Sequence, residues 1–171
     1  FIPAQDQGYF IVSIQLPSGA SISETDKVIV DATQRILSID GFANAVAFSG
    51  FSGATRANAS NSGAIFTTLE SFAERERKGL TFDDILGDLR DAMAEIKEAS
   101  ILVQTPPPVR GIGSAGGFRM MIQDRSGRGP AILEEAIQNL AAAANKPENP
   151  AVNHARTLFE INTPQIYLDI D

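Results

Sequence analysis

The sequence has no cysteine, a single histidine, and no apolar run long enough to cross a membrane. Without cysteine, disulfides, thiol catalysis and cysteine-bound metals are excluded, while a reducing cytoplasm and an oxidising periplasm both stay open. One histidine, His154, excludes a multi-histidine metal site. As a general base it would need a nucleophile or an oriented carboxylate that spacing alone does not place, so it reads as a loop residue. The run from Leu140 to Ala144 falls far short of the ~20 residues of a membrane-spanning helix, and no signal peptide is recognisable. Positive charge is in deficit: 14 Lys and Arg face 21 Asp and Glu, for a net charge of -7. That balance argues against nucleic acid or an anionic membrane surface as partner.

What is present suits a packed domain. Hydrophobic residues make up 43% of 171 positions, enough for one large or two small domains. Phe1-Ile2-Pro3 carries no initiator methionine, and Ile166 to Asp171 alternates apolar and acidic residues as a beginning strand does. Both ends are therefore expected to be cuts in a longer polypeptide.

Along the chain, Tyr9 to Leu16 reads as a strand closed by the turn Pro17-Ser18-Gly19. Ser21 and Glu24 have capping-box spacing, and Val28, Ile29, Ala32, Ile36 and Leu37 follow at helical spacing, with Gly41 able to end the helix. Ala43 to Phe48 and Ala64 to Leu69 read as strands, joined by a long Gly/Ser/Asn loop from Ser49 to Ser62. Glu70 to Lys78 reads as a charged, solvated connection. Thr81 caps a second helix whose buried stripe is Phe82, Ile85, Leu86, Leu89, Met93 and Ile96, and Ile101 to Gln104 is a short strand stopped by three prolines. The order strand–helix–strand–strand–helix–strand predicts an α+β fold, a ferredoxin-like βαββαβ subdomain over residues 8–109. Residues 110–116 read as a linker. Residues 117–171 read as a βαβ half of a second ferredoxin-like subdomain: strand Phe118 to Gln123, a helix from Ile132 to Ala144 preceded by Pro130, and strand Ile166 to Ile170.

Gly111-Ile112-Gly113-Ser114-Ala115-Gly116 spells the dinucleotide-binding pattern, which requires a preceding strand and a helix opening from it. Here a triple proline precedes and a strand follows, so the segment reads as a hinge. Asp83, Asp84, Asp88 and Asp91 sit at the start of a helix, where carboxylates complement the dipole; the bland reading of a solvated face outweighs paired-carboxylate catalysis. The sharpest feature is Phe48-Ser49-Gly50-Phe51-Ser52-Gly53-Ala54-Thr55-Arg56, aromatic rings interleaved with glycine and serine. Such a segment can move and can contact apolar ligands. Composition alone equally allows both rings to tuck into the core.

Several short stretches occur together in order: Asp6-Gln7-Gly8, Gln15-Leu16-Pro17-Ser18-Gly19-Ala20, the Gly50-Phe51 loop, Ser62-Gly63-Ala64-Ile65-Phe66, Gly117-Phe118, Thr163-Pro164-Gln165 and Asp169-Ile170-Asp171. On these the chain resembles the resistance–nodulation–cell division (RND) multidrug efflux transporters, in particular the hydrophobe/amphiphile efflux group, over essentially its whole length. The resemblance implies the periplasmic porter region of an inner-membrane, proton-antiporting homotrimer. Its partners would be a periplasmic adaptor protein, an outer-membrane channel and amphiphilic small molecules. The chain would be the first C-terminal porter subdomain and half of the second, without cofactor, metal or enzymatic activity.

Residue by residue, the resemblance assigns Phe51 and Arg56 to the family's switch loop, and Val46, Phe48 and Phe66 to its deep pocket. Ile11, Ser13, Leu102, Gln104, Ile112, Ser114 and Arg156 fall on the entrance or outer pocket. Val46, Gly53, Leu102 and Gln104 stand where the family pattern has aromatics, and the loop is about two residues longer, which puts any transfer of drug range in doubt. Two other readings compete. One is a structural or assembly segment that contacts adjacent subunits or the adaptor without binding drug. The other is a soluble ferredoxin-like hydrolase of the acylphosphatase type, which would need a basic phosphate cradle that Pro17-Ser18-Gly19-Ala20 does not supply.

Overall fold

The computed structural model describes residues 5–52, 57–106, 120–149, 152, 155–157, 159 and 161. The chain divides into two compact units, residues 1–117 and 118–171.

In the first unit the elements are β1 (Tyr9–Gln15), α1 (Ile22–Leu37), β2 (Phe42–Ser52), β3 (Ala57–Leu69), α2 (Phe72–Lys78), α3 (Phe82–Ala94) and β4 (Ser100–Gln104). The strands form one antiparallel sheet in the order β2-β3-β1-β4, as the ferredoxin-like reading requires. β1 alternates strictly: Phe10, Val12 and Ile14 are buried, their neighbours half-exposed. With Ile65 and Leu69 of β3 they meet Ile29, Ala32 and Ile36 of α1 and Ile85, Leu89 and Met93 of α3 in a single core. Each of these side chains larger than alanine contributes about 1.5–3 kcal/mol by leaving water. Gly63 permits a close approach of helix to sheet, because a Cβ there would overlap the side chain of buried Ile29.

The helix starts follow local chemistry. Ser21 Oγ accepts from Glu24 N (3.2 Å) while Ser21 N donates to Glu24 Oε2 (2.8 Å), a complete capping box. Thr81 and Asp84 repeat it at α3.

Three expectations need correction. The segment Ser49–Ser62 is mostly strand, since β2 runs on to Ser52 and β3 begins at Ala57. Serine and asparagine favour turns in isolation, but a ladder is made by backbone groups, which these residues supply as well as any other. Glu70–Lys78 contains α2, with a Ser71–Glu74 capping box and a left-handed Gly79 (φ 72°) closing it. It lacks an apolar stripe; its one buried residue is Arg75.

In the second unit, α4 (Pro130–Ala144) has Pro130 in its first turn, as expected, but Met120–Gln123 is not strand. A strand needs a partner ladder, and none exists among the described residues of that unit. Residues 118–119 and the expected strand Ile166–Ile170 lie outside the described residues. No residue of α4 is buried. Asn145 exchanges two hydrogen bonds with the Ala155 backbone (2.6 and 2.8 Å), holding the following chain to the helix end. Among the described residues no helix is long and apolar enough to cross a membrane.

Candidate functional site: an uncharged sheet face

Because Phe10, Val12 and Ile14 turn toward the helices, Tyr9, Ile11, Ser13 and Gln15 must point to the opposite face. Ile101 and Val103 likewise pack on the core, turning Ser100, Leu102 and Gln104 outward, and Ile65, Thr67 and Leu69 do the same for Ala64, Phe66 and Thr68. Strand register then aligns these residues in rows. One row runs Val46–Phe66–Ile11–Gln104, and the next runs Phe48–Ala64–Ser13–Leu102. The flanking positions are Asn44, Thr68 and Tyr9 on one side, and Ser62, Gln15 and Ser100 on the other. No Asp, Glu, Lys or Arg occupies any of them.

Val46 is 56% exposed, Phe48 47% and Phe66 38%, so these side chains are not core. Phe48 packs edge to face against Phe66 (5.9 Å between centroids) and against Phe51 (6.4 Å), and Ala64 is fully covered. Edge-to-face pairs contribute about 0.5–1.5 kcal/mol beyond area burial. The two readings left open for Phe48 are thus decided: it stands on the outer face, with Phe51 half-buried beside it. The Ser13 hydroxyl lies buried within its row and has no hydrogen-bond partner among the described residues.

Sequence reasoning missed how the Phe51-bearing end is held. Register breaks between the pairs Ser49↔Gly63 and Phe51↔Asn58, where Gly50 takes φ 79°. The first turn of α1 underlies this break. Ile22 fills the space where a Cβ on Gly50 would sit, Ser49 Oγ donates to Asp26 Oδ1 (2.6 Å), and buried Thr25 Oγ1 donates to the Ser60 carbonyl (2.6 Å). Ser60 Oγ reaches the Ala20 carbonyl (3.1 Å) and Asn61 Nδ2 the Leu16 carbonyl (3.1 Å). The available signal was the cluster of short polar side chains, which serve as backbone partners when strands diverge.

Arg56, Ile112 and Ser114 lie outside the described residues, as do Gly53, His154 and the Gly111–Gly116 pattern. Arg156 is exposed and belongs to the second unit. Asp84 is engaged in the α3 cap, and its carboxyl is held below the usual range by the Thr81 hydroxyl and backbone. No group of residues able to hold a metal occurs among the described residues. Lacking carboxylate, amine and imidazole, the face has no means of general acid–base work with those groups. It can hold apolar surface and offer neutral hydrogen-bonding groups.

The first unit is thus a ferredoxin-like α+β domain with an uncharged, partly aromatic outer sheet face. A sequence profile of the AcrB/AcrD/AcrF family matches residues 1–171, and the chain belongs to that family. It is 30% identical over 177 residues to the toluene efflux pump membrane transporter TtgE of Pseudomonas putida, covering 100% of this chain and 16% of TtgE. With the solvent-resistant pump membrane transporter SrpB of Pseudomonas putida it shares 28% over 173 residues, again 100% of this chain and 16% of the relative. With the multidrug export protein AcrF of Escherichia coli it shares 27% over 182 residues at the same coverage, 100% and 16%. The chain spans about one sixth of the length of these relatives.

Proposed function

We propose that this chain is the substrate-binding porter region of a proton-driven RND multidrug efflux pump, lying in the periplasm. There it binds amphiphilic compounds and passes them toward an outer-membrane channel. The observation that carries the reading is the outer sheet face. A solvated face is ordinarily studded with charge, whereas this one presents Val46, Phe48 and Phe66 beside Ile11 and Leu102 with no ionised group among them. A site built this way holds many ligands by apolar and aromatic contact rather than by fixed polar anchors. The relatives named above are export proteins, and two are named for solvent resistance or toluene efflux.

Within this reading, residues 8–109 form the first C-terminal porter subdomain, 110–116 a linker and 117–171 the first half of the second. The working unit is a homotrimer with an adaptor protein, and the chain has transport rather than catalysis as its role. Arg56, Ile112, Ser114 and Arg156 complete the switch loop and the pocket entrance.

The test uses the complete transporter in a strain lacking its other pumps. Phe48→Ala and Phe66→Ala should each reduce efflux of some compounds at least about tenfold more than others, since different ligands use the rings differently. Unchanged efflux of a broad panel by both variants, at normal protein level, refutes the assignment.

A further inference from the structure

We infer that, in the complete transporter, the free edge of β2 is covered by an uncharged β-strand from another part of the same polypeptide. The inference rests on reading this chain as one region of a longer pump, and it concerns the backbone edge of the sheet rather than its outer face.

The sheet has two edges, β2 and β4. β4 is five residues long and is followed by Pro106, so little of it is open to pairing. β2 is 11 residues long and holds no charged residue and no proline. Its register shifts lie near its ends, leaving residues 44–49 regular. Leu69 N donates to the Gly8 carbonyl and Leu16 N to the Asn61 carbonyl, both at 2.8 Å, so odd-numbered residues of β3 bond to β1 and even-numbered ones to β2. By register, Asn44, Val46 and Phe48 then bond to Thr68, Phe66 and Ala64. Ala45 and Ala47 turn their N–H and C=O groups outward, where nothing among the described residues meets them. An edge this long and unguarded recruits a strand.

α1 supplies a shelf beside that edge. Ile22, Asp26, Val30, Thr33 and Leu37 share one side of the helix. Ile22 meets Gly50 and Asp26 takes the Ser49 hydroxyl, so this side leans toward β2. Arg35 bridges Asp31 and Glu95 on the opposite flank. Ile22, Val30 and Leu37 are 49%, 48% and 49% exposed. Ala45 packs on the helix side of the sheet, and its small side chain leaves the shelf open. A strand laid along Ala45 and Ala47 would bond to their backbone and set alternate apolar side chains on Val30 and Leu37. A second copy of the chain fits less well, since each copy carries a net charge of -7. About five-sixths of the length of TtgE, SrpB and AcrF lies outside the matched region, ample to supply the strand.

The test compares amide exchange of Ala45 and Ala47 in the dilute 171-residue chain and in the complete transporter. Both amides should exchange at least about a hundredfold more slowly in the transporter. Ala47→Pro removes one outward N–H and spares the ladder made by Val46 and Phe48. Ala47→Lys instead sets a charge on the shelf. Either variant should leave the urea midpoint of the chain nearly unchanged and speed Ala45 exchange in the transporter. Equal exchange in both proteins, or protection in the transporter that neither variant reduces, overturns the inference. Protection in the chain itself that falls on dilution assigns the edge to a second copy and also overturns it. Efflux by Phe48→Ala and Phe66→Ala is read separately, so an uncovered edge leaves the binding role standing.

Discussion

Arg75 Nη1 lies 2.7 Å from Asp6 Oδ2, joining α2 to the segment that leads into β1, and the arginine is only 3% exposed. Its Nε donates to the Glu70 carbonyl (3.0 Å), and its guanidinium stands 4.7 Å from the Phe72 ring centroid. Asp6 in turn receives the Gly8 amide (2.9 Å), so one buried cation fixes the chain where the central strand begins.

Removing one partner of such a pair strands a charge in a poorly solvated site. Arg75→Ala should therefore cost about 3–5 kcal/mol. Arg75→Lys should recover only part of this, because a lysine cannot serve Asp6 and the Glu70 carbonyl through the same fork. Urea unfolding of the variants measures both. An Arg75→Ala midpoint close to wild type would mean the pair contributes little.

How much of this could be read beforehand varies with the kind of signal. The core helices were legible because Ile29, Ala32 and Ile36 or Ile85, Leu89 and Met93 repeat at helical spacing behind clear caps. α2 was not, since its buried residue is an arginine and its capping box was the only cue. The two rows of the outer face rest on register, and register depends on which strands pair, which no local pattern contains. The extension of β2 and β3 beyond Phe48 was hidden for a similar reason: Thr25 and Asp26, distant in sequence, partner Ser60 and Ser49.

A second prediction concerns pH. The Asp124 carboxylate accepts from Ser126 Oγ (2.7 Å), Ser126 N (2.8 Å), Gly127 N (3.1 Å) and Gly129 N (3.1 Å). These bonds, led by the Ser126 hydroxyl, lower its pKa from 3.8 to about 2. A folded pKa below the unfolded value means the ionised form stabilises the turn before α4. That stabilisation is fully present above the unfolded pKa and is lost as pH falls through about 2. Carboxyl NMR should show Asp124 titrating with a midpoint near 2, with the Ser126 and Gly129 amide shifts following the same curve. A midpoint near the usual carboxylate range would show that the turn does not hold the charge.

The final prediction separates the hairpin end from the rest of the sheet. Thr25 is fully buried, and its hydroxyl reaches the Ser60 carbonyl at 2.6 Å, on the β3 side of the register break. Thr25→Val keeps the shape and removes the donor, leaving a carbonyl with one partner fewer at a cost of about 1–3 kcal/mol. Ladder pairing on the β1 side of the break, from Ser62 to Thr68, does not depend on this bond. The loss should therefore appear locally: faster amide exchange for residues 57–61 and little change for 64–68, with Thr25→Ser restoring protection because it keeps the hydroxyl. In the complete transporter, Thr25→Val should alter efflux most for compounds sensitive to Phe51→Ala, since the same seat positions that ring beside Phe48. Exchange that rises equally along all of β3, or is unchanged, would show that α1 does not govern the hairpin end. An efflux pattern unrelated to that of Phe51→Ala would separate the seat from the aromatic cluster.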